Sequence, residues 1–229
     1  MKMIYKKIIL IFIYLAPVVL TAFMPYQGKF ENTAQKTKNE NQDTIRIFNG
    51  KDLSNLHLVL ADKDINIDKM YKIKDGTIYF EGGYKGYVRT NEKYTDFTIH
   101  AEWMWPKKGE KGNGGILVYI QQPDTVWPNC IQINFKENNA GDLIAMNGAV
   151  FKEAVGKPKD NVVKLSAASE KPEGEWNTCD INCKGDSLTI FINHTLQNKA
   201  TKIKNTNGSI GWQLEGKPIA MRNIYLIKK

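Results

Sequence analysis

Two short segments carry side chains whose types and spacing could do chemistry. In "DFTIHAEWMW", Asp96 to Trp105, His100 and Glu102 lie two residues apart. On an extended strand they share one face at a separation of ~6–7 Å, near enough to serve one ligand. Such a pair offers a base and an acid for proton transfer. In "CIQINF", the same alternation puts Cys130, Gln132 and Asn134 on one face and Ile131, Ile133 and Phe135 on the other. A row of amides supplies the neutral donors and acceptors that sugar hydroxyls need, but cannot act as acid or base near neutral pH. "IGWQLEG" and "MRNIYLI" add Gln213, Tyr225 and Arg222. Any antiparallel sheet shows polar residues to water, so alternation alone does not make a site. A hydrogen-bonded structural role is equally open for His100; His194, in "INHTLQ", reads as a hairpin turn, and His57 has no evident partner.

The elements that must position these residues are strands. The chain of 229 residues is 42% hydrophobic, which places it among globular proteins. No segment shows a helical stripe, whereas runs of alternating residues are bounded by Gly, Asn, Asp or Pro. The expected fold is all-β, a single sandwich of two antiparallel sheets over residues 45–229. Phe97, Ile99, Ala101, Trp103 and Trp105 form one inward set, and Ile210, Trp212 and Leu214 another. Gly211, Gln213 and Glu215 point outward, as do Arg222 or Asn223 and Tyr225. Between them, Gly115, Leu117 and Tyr119 alternate with Ile116, Val118 and Ile120. Asp75-Gly76 marks a tight hairpin. Residues 152–175 lack strand pattern and are expected to form a loop of the kind that covers a site mouth.

"MKMIYKK" followed by the apolar run to Phe23 reads as a secretory signal over residues 1–22, with an uncleaved anchor as the alternative. The expected location is therefore outside the cytoplasm, periplasmic or cell-surface, with a polar linker over 23–44. Loss of residues 1–22 removes three lysines and lowers the net charge from +8 to +5. The remaining excess is dispersed, with no basic stripe or recognisable module, so nucleic acid is not an expected partner. Cys179 and Cys183 are ~13 Å apart on one strand, beyond disulfide reach. A bridge from Cys130 to either stays open, with buried thiols the stronger reading. The chain has neither a Cys-x-x-Cys pair nor a histidine partner at ligand spacing, so zinc is not expected. His100 and Glu102 could both ligate a divalent ion, but two ligands are too few to name one, and no cofactor is expected.

"IFNGKDLSNL", "YKIKDGTIYFEGGYKGYVRT", "YTDFTIHAEWMW", "GNGGILV", "GEWNTCDINCKGDSLTIFIN" and "MRNIYLI" occur in an order that resembles the 3-keto-disaccharide hydrolase domain, long catalogued as a domain of unknown function. The resemblance spans residues 45–229. Its chief markers are Asp96, Phe97, Glu102, Trp103, Gly112, Asn113 and Gly115, then Arg222 to Ile224. It implies a concanavalin-like jelly roll, bacterial export and action on carbohydrate. One departure stands out: where many relatives carry a carboxylate, this chain has Gln132. The implied chemistry is cleavage of a glycoside bearing a C3 ketone, which acidifies C2–H and permits elimination at C1 without two opposed carboxylates. On that reading Glu102 or His100 is the base, and Asn113, Gln132, Asn134, Gln213 and Arg222 hold the sugar. A non-catalytic glycan-binding module is the alternative. A two-carboxylate endoglycosidase is a poorer one, because no Glu-x-Asp-x-x-Glu strand is present.

Overall fold

The structure, a computed structural model, describes residues 44–106 and 112–229. The expected export segment and all of the linker except Thr44 lie outside the described residues. Among the described residues, fifteen strands build two antiparallel sheets. The first, sheet A, has the order β13 (Thr195–Ala200), β12 (Ser187–Ile192), β11 (Asn177–Lys184), β6 (Phe97–Met104), β15 (Ile219–Lys228), β4 (Thr77–Phe80) and β3 (Tyr71–Lys74). β1 (Thr44–Arg46) also pairs with β15. Sheet B has the order β10 (Asn161–Val162), β9 (Leu143–Met146), β8 (Cys130–Asn134), β7 (Asn113–Ile120), β14 (Ser209–Glu215), β5 (Lys85–Thr90) and β2 (Leu56–Leu60).

The inward faces meet in one core, as strict alternation requires. β6 reads buried, part-buried, buried along its length, so Phe97, Ile99, Ala101 and Trp103 enter the core while His100 and Glu102 face out. Trp103 stacks on Phe135 across the two sheets, with ring centres 4.0 Å apart and an interplanar angle of 8°. Asp75 and Gly76 both have positive φ (51° and 71°), the geometry of a two-residue hairpin turn between β3 and β4. Asn193 and His194 repeat it between β12 and β13, as expected for His194. The three cysteines are buried and free.

Parity fails at one point. Tyr119 takes φ 59°, and the pairing with β14 shifts register there. This bulge swings Tyr119 into the inter-sheet core against Phe97, 5.9 Å between ring centres, and turns Ile120 outward. Ile120 therefore joins Leu117, Tyr87 and Cys130 in a second apolar cluster on the outer side of sheet B.

The segment 152–175 has a role other than the expected one over a site mouth. Val162 adds to the edge of sheet B, while Leu165 N donates to Gln197 O and Ser166 Oγ donates to Leu196 O on β13. It thus covers the sandwich edge, satisfying strand groups that would otherwise template further pairing.

Candidate functional site

The seven residues singled out in the sequence divide between opposite sides of the sandwich. His100, Glu102 and Arg222 point outward from sheet A; Asn113, Gln132, Asn134 and Gln213 point outward from sheet B. β8, which carries Gln132, lies between β7 and β9 rather than beside β6, which carries Glu102. The two groups, separated by the full core, cannot serve one sugar. Parity shows which side of its own strand a residue takes, but the sheet to which that strand belongs is decided by long-range pairing.

On sheet A the charged side chains satisfy one another. β11, β6 and β15 place Asp180, His100 and Tyr225 in one cross-strand row and Thr178, Glu102 and Arg222 in the next. His100 Nδ1 donates to Asp180 Oδ1 at 2.6 Å, and its ring stacks on Tyr225 at 4.9 Å. The hydrogen bond to Asp180 raises the His100 pKa, aided by that acid's charge and by Glu102, against the opposing effect of burial. Arg222 Nε donates to Glu102 Oε2 at 2.7 Å, and Asn223 Nδ2 to Oε1 at 2.6 Å. Both reach the same carboxylate because Asn223 (φ 50°) bulges β15, which settles the open choice between 222 and 223 in favour of both. Arg222 also lies 4.0 Å over the Trp176 ring. Burial works to raise the Glu102 pKa, yet the bonds from Asn223 and Arg222 outweigh it and hold the carboxyl below its usual range. A carboxylate so stabilised is a weak base, and both its oxygens are engaged.

Sheet B presents a different surface. Its register sets Val59, Tyr87, Gln213, Gly115 and Asn134 in one row, and His57, Arg89, Gly211, Leu117, Gln132 and Ile144 in the next. The amides expected on a wet face are instead enclosed: Gln132 is 3% exposed, Gln213 4% and Asn134 6%. Gln132 Nε2 donates to Gln213 Oε1 at 2.6 Å, reaching across β7 over the gap left by Gly115. A Cβ at Gly115 would lie 2.2 Å from Ile133 O, so no other residue fits there without moving β8. Gln213 Nε2 and Gln132 Oε1 find no partner among the described residues, and neither is among the fully buried orphaned atoms. They are free to bond a guest on this face.

One end of that face is closed by residues 121–129. Asn129 and Trp127 bond Asn147 beyond β9, while Asp124 reaches β5, receiving Arg89 Nε at 2.9 Å, Arg89 Nη2 at 2.7 Å and Tyr87 Oη at 3.1 Å. At the other end Glu215 stands opposite Asn113 of β7 and Lys85 of β5. Burial raises its pKa, which Lys85, Lys136 and a hydrogen bond with Asn113 only partly offset. In the sequence the one signal for Glu215 is its shared parity with Gln213 on the outward face; its place beside Asn113 comes from the pairing of β14 with β7. Among the described residues, no group of three or more His, Cys, Asp or Glu is arranged to hold a metal ion.

Residues 43–227 match the family model described as a 3-keto-α-glucoside-1,2-lyase-like domain. None of the curated proteins matches the chain. Among solved structures, a provisionally named glycosyl hydrolase from Parabacteroides distasonis ATCC 8503 aligns with TM-score 0.59 and 18% identity, covering 81% of this chain and 94% of that one. A laminarinase from Flavobacterium sp. UMI-01 aligns with TM-score 0.56 and 14% identity over 81% and 98% of the two chains. A β-glucanase from Bacillus licheniformis gives 0.55 and 14% over 80% and 96%. At these identities the likeness establishes the fold, a concanavalin-like jelly roll.

Proposed function

Because the chain belongs to the 3-keto-α-glucoside-1,2-lyase-like domain family, we propose that it acts on carbohydrate, cleaving glycosides whose C3 hydroxyl has been oxidised to a ketone. The observation that carries this reading is the convergence of Asn113, Gln132, Asn134 and Gln213 on one enclosed face, with free amide tips beside the gap at Gly115. Amides there can hold ring hydroxyls and the C3 oxygen in fixed positions. A ketone at C3 acidifies C2–H, so a single base suffices to start elimination, and water then adds to the product. Donors aimed at the C3 oxygen stabilise the enolate as it forms. Export of the protein is part of the same proposal, supported by Lys2, Lys6 and Lys7 ahead of the apolar run.

The test compares 3-keto-glucosides with their unoxidised parents, following aglycone release and product identity by NMR. Release confined to the oxidised sugars supports the reading. Equal release from the parents points instead to an ordinary glycosidase. A second reading, a glycan-binding module, is favoured by the amide Gln132 at the position where the family resemblance implies an acid. It predicts calorimetric binding of unoxidised oligosaccharides with no turnover of either set.

A further inference from the structure

Resting on the reading above, in which a 3-keto-glycoside occupies the outer face of sheet B, we propose that Glu215 is the base that removes the C2 proton. Glu215 ends β14 two residues beyond Gln213, on the same face and ~7 Å along the strand. Its register sets it between Lys85 of β5 and Asn113 of β7, with Lys136, just past β8, also acting on its charge. Glu102, by contrast, has both oxygens engaged on the far side of the sandwich. The Glu215 carboxylate is half-buried and takes a side-chain hydrogen bond from Asn113, which leaves lone pairs for a substrate proton. Burial pushes its pKa up, so the carboxylate is a stronger base than an exposed glutamate and titrates nearer neutrality.

The step balances without an oxidant or reductant. The Glu215 carboxylate takes the proton from C2, and that electron pair forms the C2–C3 double bond as the C3 oxygen becomes an enolate. The carbonyl then re-forms, a C1–C2 double bond replaces the enolate, and the C1–O bond breaks with its pair on the departing oxygen. Return of the proton to that oxygen releases an alcohol and restores the carboxylate. The sugar leaves as a 2-hydroxy-3-keto-glycal.

The test uses the full chain and its Glu215→Gln variant with a 3-keto-glucoside in deuterated water. NMR follows deuterium entry at C2 and aglycone release. Loss of the base should slow both by about 10²–10⁴-fold while calorimetric affinity stays within about threefold. In the wild type, kcat/KM should fall on the acid side with a midpoint above the ordinary glutamate value of 4.5, since the base must be deprotonated and its pKa is raised. Wild-type exchange matched by Glu215→Gln overturns the assignment alone. Neither exchange nor release by the wild type, with any 3-keto-glucoside, overturns the functional reading and the assignment with it. Should Glu215→Gln fail to fold, Glu215→Asp reports instead: a slower rate with the acid limb retained supports the base, and an unchanged rate overturns it.

Discussion

Replacing Glu102 by Gln separates the two faces of the sandwich. The variant keeps the shape of the side chain but removes its charge and one acceptor. Glu102 now accepts from Arg222 at 2.7 Å and Asn223 at 2.6 Å, with His100 Nε2 at 3.9 Å. Hydrogen bonds to a charged partner contribute about 1.5–3 kcal/mol, and a neutral one about half that. In Gln one oxygen still accepts, while the amide nitrogen meets a donor it cannot satisfy. The side chain of Glu102 is 15% exposed and that of Arg222 37%, so solvent screening reduces the loss to about 1–2 kcal/mol. For a domain of this size each kcal/mol shifts Tm by about 2–4 °C, giving an expected fall of about 2–8 °C. Aglycone release should stay within about threefold of wild type, because the proposed site lies across the core. Thermal unfolding and turnover, measured on the same preparation, check both halves. Abolished release with an unchanged Tm would refute the reasoning and move catalysis to sheet A. There a cavity of about 290 Å³, lined in part by Arg46, Asn49 and Arg222, would then hold the sugar.

Three further outcomes follow from the same contacts. His100 is raised by Asp180, so the stability of that pair is fully present below the unfolded value of 6.5 and is lost as pH rises through the higher folded value. Urea midpoints should therefore decline on the alkaline side for wild type, and His100→Asn should remove that slope. Asp124→Asn should cost about 2–3 kcal/mol, since the Arg89 side chain is 12% exposed and would lose its bidentate partner; limited proteolysis within 121–129 should accelerate. Gln213→Leu removes the free amide tip together with the acceptor of Gln132 Nε2, and should weaken calorimetric sugar affinity by about 3–10-fold while costing about 1–3 kcal/mol of stability. Undiminished affinity there would place the sugar elsewhere.

Much of this protein is legible along the chain. Alternation in "FTIHAEWM" fixed which side chains enter the core, because a strand has a period of two and one buried face. Asp75-Gly76 and Asn193-His194 declared their turns through residues that tolerate positive φ. Departures from simple alternation were not legible: the bulges at Tyr119 and Asn223 depend on how β14 and β6 pair with those strands. The larger matter was the site itself. Sequence could say that His100, Glu102, Gln132 and Gln213 each point away from a core, but a sandwich has two outer faces. Which face each takes rests on pairings between strands distant in sequence, 120 residues apart for Glu102 and Arg222. Those pairings decided that Glu102 is held in an ion-pair network, that the amides lie enclosed together, and that Glu215 is the carboxylate beside them. The local pattern is set by backbone geometry at each residue, whereas the meeting of side chains from distant strands exists only once both sheets have formed.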